Sequence, residues 1–138
     1  MCLNLYPPNQ IRKRRIYRLA QILHDHQIEG SGMDTRYFDH PFIHDTYTIL
    51  GKTTVSASYR EHLVPRVYLR DRCLDLFRSG ESVEYVSGLI DKYLWIALLE
   101  PEQASRINKK YMSTMPSDWA FGQGDVRARL SSIGLSLL

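Results

Sequence analysis

A carboxylate stands beside an imidazole, Glu61-His62, in the segment Ser58-Tyr59-Arg60-Glu61-His62-Leu63-Val64-Pro65. A glutamate can hold a divalent cation, and a neutral imidazole can take a proton from water. The pair therefore suits metal-assisted phosphodiester hydrolysis, with His62 as general base and Glu61 as metal ligand. Neighbours on a strand point to opposite faces, so both serve one site only if the strand ends between them. Pro65 supplies such a break. The plainer reading of the same residues is a surface ion pair, or a cap for the helix that follows.

Other groups carry weaker chemistry. Arg12, Lys13, Arg14, Arg15 and Arg18 form one dense basic cluster. Positive charge near a helix N-terminus is unfavourable by a few tenths of a kcal/mol, so these five are candidate contacts for nucleic-acid phosphates, with a solvated helix face as the alternative. His40 and His44 could chelate a metal if they shared a helical turn, but Pro41 lies between them. His24 and His26 suit the negative end of a helix dipole. Cys2 becomes an N-terminal nucleophile if the initiator methionine is removed, although the residue after it is Leu3.

The elements that must position these groups follow from periodicity and punctuation. Ile16, Leu19, Ala20 and Leu23 share one face of a helix over 11–27. Residues 28–46 read as a loop punctuated by Gly30, Gly32 and Pro41. Over 47–60 the residues are strand-like, with Gly51-Lys52 as a hairpin turn and Val55, Ala57 and Tyr59 alternating with polar neighbours. A helix over 66–78 stops at Ser79-Gly80, and Ser82 caps the next, making a helical hairpin. Trp95–Leu99 reads as a buried strand, and Pro101 starts a helix running to about Tyr111. The tail 112–138 is loop-rich and ends in a short helix. The fold class expected is α+β, a small antiparallel sheet with several short helices.

The Glu-His-x-x-Pro segment resembles the first motif of the HNH, or His-Me finger, nucleases. Trp95–Leu99 followed by Glu100-Pro101-Glu102-Gln103-Ala104-Ser105-Arg106-Ile107-Asn108 resembles the strand and helix that complete that family's ββα-metal unit. The helical hairpin would be an insertion between the halves. Residues 54–110, with the later Met115-Pro116-Ser117-Asp118-Trp119, also resemble small proteins of phage type. The resemblance implies an HNH-like core over 47–111, a divalent ion (Mg or Mn) if active, and a second metal ligand from the helix. Gln103 occupies the position for that ligand, with Glu102 and Asn108 as stand-ins on other faces of the helix. The asparagine that orients the family's histidine has no counterpart, and the cysteine pairs some members carry are absent.

Composition sets outer bounds. A chain of 138 residues with 43% hydrophobic residues can bury a core as one domain. Two cysteines and no CxxC pair argue against a disulfide scaffold or a thiolate zinc knuckle and for a cytoplasmic setting, the host cytoplasm if phage-encoded. No apolar run reaches membrane-spanning length, and the start does not read as a signal peptide. A net charge of +3 permits nucleic-acid binding without demanding it. Two function classes therefore stand. One is an HNH-like nucleic-acid-interacting protein, a metal-dependent endonuclease in its active form. The other is a catalytically inactive interaction or inhibitor protein that binds a host protein or ribonucleoprotein.

Overall fold

The structure, a computed structural model, describes residues 5–138. Cys2 and the chemistry expected of it lie outside the described residues. The first helix, α1, spans Pro8–Glu29. It starts three residues before the expected position because Pro8 fills the first turn, where a missing N–H costs nothing. Gly30, at φ 73°, ends it in the left-handed conformation and closes its last carbonyls. Two short 3-10 turns, Thr35–Phe38 and Asp45–Tyr47, give the expected loop its shape. Asp34 and His44 cap them by accepting the N–H groups of Arg36 and Thr46.

Three four-residue strands follow: β1 (Ile49–Lys52), β2 (Tyr59–His62) and β3 (Ile96–Leu99). Between β2 and β3 lie α2 (Arg66–Arg78) and α3 (Val83–Tyr93), and after β3 come α4 (Pro101–Tyr111) and α5 (Ala128–Ser131). The fold is thus α+β. β3 is the central strand. β2 runs antiparallel to it, pairing Tyr59 with Leu99 and His62 with Ile96. β1 runs parallel to it, with a bulge between Ile49 and Gly51.

The sheet is therefore mixed, and the expected hairpin at Gly51-Lys52 is absent. Both residues belong to β1, whose partner is the distant β3. Residues 53–58 turn between the strands and leave Val55 exposed, despite their alternating pattern. Leu137 packs 3.3 Å from where a Cβ on Gly51 would stand, and the Leu138 N–H donates to the Lys52 carbonyl (2.8 Å). The C-terminus so occupies the free edge of β1, a protection exposed edges need.

Two apolar clusters hold these elements. Ile16, Leu19 and Leu23 of α1 meet Leu69, Cys73 and Phe77 of α2 and Val86, Ile90 and Tyr93 of α3. Each such buried side chain contributes roughly 1.5–3 kcal/mol. Leu63, Ala97 and Leu99 meet Ala104 and Ile107 of α4 and Leu130 of α5 on the other side. The antiparallel pair β2–β3 and helix α4 thus lie together. Trp119, in the Met-Pro-x-x-Trp stretch, packs edge-on to Tyr68 and Tyr93, and its indole N–H donates to the Asp125 carbonyl (2.8 Å).

Candidate functional site

Strand β2 continues through His62, so Glu61 and His62 leave it on opposite faces. Glu61 is buried and faces Arg129 of α5 at 3.4 Å. The Arg129 side chain is 2% exposed and also donates to the His62 carbonyl (3.1 Å) and the Met112 carbonyl (2.8 Å). Burial raises the Glu61 carboxyl above its ordinary range, against the pull of Arg129 and His62. Burial likewise lowers Arg129, against the attraction of Glu61. Desolvation outweighs attraction for both partners, which is usual for buried ion pairs.

His62 looks the other way. Its Nε2 lies 3.1 Å from Asp39 Oδ1, too oblique for a well-formed hydrogen bond. Asp39 is a hub: it also accepts from Arg60 (2.7 Å) and Arg66 (2.6 Å). Arg60 makes two further bonds to Asp45, at 2.7 and 2.8 Å. Burial works to raise the Asp39 carboxyl, but the combined effect of His62 and Arg60 holds it at about 2. Hydrogen bonds donated to Asp45 lead in holding Arg60 above its ordinary value.

The three helix residues expected as metal ligands do not join Glu61. Gln103 closes a capping box on α4. Its Oε1 accepts from the Glu100 N–H (2.9 Å) and the Thr53 hydroxyl (2.6 Å). Glu102 is exposed and lies 3.8 Å from Arg106. Asn108 is exposed beside Tyr59, Ser105 and Lys109. Among the described residues no three His, Cys, Asp or Glu side chains converge where a metal could sit. The donor set present does not fit a divalent ion at Glu61. The other reactive side chain of the described residues, Cys73, is buried with its thiol pushed up to about 12, which leaves it protonated and inert.

The basic cluster divides in two. Arg12 is 5% exposed and faces inward. Its guanidinium stacks 3.6 Å from the centre of the Trp95 ring, donates to the Tyr47 and Asp91 carbonyls, and pairs with the Asp91 carboxylate at 3.1 Å. It binds α1 to α3, Tyr47 and Trp95, and its burial keeps it from a phosphate. Lys13, Arg14, Arg15 and Arg18 are exposed. Among the described residues none of the four meets a carboxylate within ion-pair distance. Arg14 lies 4.6 Å over the Tyr6 ring. By contrast Arg36, Arg60, Arg66, Arg70, Arg72, Arg78, Arg106 and Arg129 all have acidic partners.

Sequence reasoning missed Asp39 and Arg129, the partners of His62 and Glu61. They come from the irregular 28–46 stretch and the tail, where no periodic signal marks them. The inward turn of Arg12 did carry a signal: it precedes Ile16, Leu19 and Leu23 by four, seven and eleven residues, on the apolar face. No protein-family model, curated protein or solved structure matches the chain.

Proposed function

We propose that this protein binds nucleic acid through the exposed basic turns of α1, and that Glu61 and His62 hold the fold rather than cut a phosphodiester. The observation that carries this reading is the run of Lys13, Arg14, Arg15 and Arg18, four exposed cations with no carboxylate within ion-pair distance among the described residues, where most other arginines are paired. Four cations within six residues repel one another. They lie in the second and third turns of a helix whose first turn has no acidic residue. A polyanion offsets that repulsion by replacing counterions along its backbone. The inward arginine, Arg12, keeps α1 rigid against Trp95 and Asp91, so the outer cations are presented on a fixed support.

The HNH resemblance enters here as kinship of layout. The β2–β3 pair and α4 follow the expected order, while Glu61 is engaged by Arg129 and Gln103 by its capping box. The reading is therefore a non-cleaving relative of such a domain. Binding is tested by fluorescence anisotropy with labelled oligonucleotides at low salt. Wild type should bind, and the Lys13→Ala/Arg14→Ala/Arg15→Ala/Arg18→Ala variant should lose most of its affinity for every sequence. Equal binding by both proteins would overturn the proposal. Absence of binding by wild type would turn attention to an acidic protein partner for the same face.

A further inference from the structure

We infer that the nucleic acid taken by α1 is single-stranded, with its phosphates along Arg14, Arg15 and Arg18 and its bases against the planar side chains Tyr37, His40 and Phe42. This rests on the reading that α1 binds nucleic acid. Phe42 connects the two halves of the surface. Together with Arg15 and Arg18 it lines a depression of about 450 Å³ on the flank of α1. Two residues to either side of it in sequence, His40 and His44 line a second depression of about 490 Å³ with Arg36 and Arg60.

Charge divides the labour between them. In the second depression Arg36 is paired with Asp34 and Arg60 with Asp39 and Asp45. Its cations are spent, so it offers a phosphate little. The densest unpaired positive charge lies on α1. What the surface around Phe42 offers instead is flat rings. Tyr37 meets Phe42 edge-on with centroids 5.7 Å apart, and His40 meets His44 edge-on at 5.2 Å. Tyr37 is 38% exposed, and His40 and His44 are exposed as well. His44 accepts the Thr46 N–H at Nδ1 (3.0 Å), which leaves Nε2 as the donor of its neutral ring. A basic track beside exposed rings is the arrangement that takes unpaired bases, because each base has a face to stack. A duplex keeps its bases inside and could use only the track.

The test measures anisotropy of the full chain with an oligothymidylate of about fifteen nucleotides and with a duplex of equal length, at about 50 mM salt, within the site sizes and salt range such contacts have. Wild type should favour the single strand by roughly tenfold or more. Tyr37→Ala/His40→Ala should weaken single-strand binding by roughly fivefold to a hundredfold, the range of one or two lost stacks, and leave duplex binding unchanged. Tyr37→Phe, which keeps a ring, should retain the preference and shows that a loss in the alanine variant is one of stacking. Equal or tighter duplex binding, or single-strand binding indifferent to Tyr37→Ala/His40→Ala, overturns the inference while the α1 reading stands. No binding of either probe overturns both.

Discussion

At the scale of single residues, the buried pair Glu61–Arg129 decides how the centre of the molecule responds to change. Arg129 serves one carboxylate and two carbonyls, and its Nε has no partner. Removing it strands a buried carboxylate, so Arg129→Met should destabilise the fold by about 3–5 kcal/mol in urea denaturation. Adding Glu61→Leu should recover a large part of that loss, because the charge left behind is gone. If the double variant is no better than the single one, Glu61 is not held by this pair.

Asp39 gives a pH prediction with a definite sign. Its folded carboxyl is held at about 2, below its ordinary value of 3.8. Its ionised form is thus favoured by folding, and the stability it contributes is present above pH 4 and lost as pH falls toward 2. The contribution is on the order of 1–2 kcal/mol after allowing for solvent near the cluster. Asp39→Asn should therefore flatten the stability profile between pH 4 and 2. A profile unchanged by the substitution would contradict the hub. Glu61 acts with the opposite sign, since burial raises it and protonation relieves the cost.

At the scale of elements, α1 carries two functions on two faces. Arg12→Ala removes a buried stack and three hydrogen bonds, one of them the ion pair with Asp91, and should destabilise the protein by about 2–4 kcal/mol. Arg15→Ala and Arg18→Ala should leave stability within about 0.5 kcal/mol, or raise it slightly by relieving repulsion among the neighbouring cations. Thermal melts of the three variants separate these outcomes. Comparable losses at Arg12 and Arg15 would mean that the faces are not distinct.

The elements legible in sequence were those with local punctuation. α2 ends at Gly80, whose φ of 91° suits glycine, α3 starts at the Ser82 cap, and α4 starts at Pro101. β1 was not legible as it stands, because its partner β3 lies some 45 residues away and Gly51 is covered by Leu137 from the tail. The alternation over 54–59 misled for the opposite reason. Thr54 and Ser56 donate to Glu100 (2.5 and 2.9 Å), so hydroxyl bonding to α4, rather than a sheet ladder, shapes that stretch. The same limit applies to the site. Glu61-His62 is visible as a pair, yet what each does is set by Arg129 and Asp39, contacts that only the tertiary fold makes.

At the scale of the whole molecule, the charge map is uneven in a useful way. Most arginines are neutralised in place, and the densest part of the positive surplus lies on one helix. No helix among the described residues is long and apolar enough to cross a membrane, so a membrane span does not account for that surplus. A non-cleaving domain should leave supercoiled plasmid intact with Mg or Mn, and His62→Ala should behave as wild type in that assay. Nicking by wild type that His62→Ala abolishes would restore the endonuclease reading. The central claim, electrostatic binding by α1, is tested most directly by the salt dependence of oligonucleotide affinity. Three phosphate contacts on a single strand, at Arg14, Arg15 and Arg18, predict a slope of about −2 in log K against log salt. The variant lacking Lys13, Arg14, Arg15 and Arg18 should give a slope near zero with weak binding. A wild-type affinity insensitive to salt, or a steep slope that survives in the variant, would contradict the account.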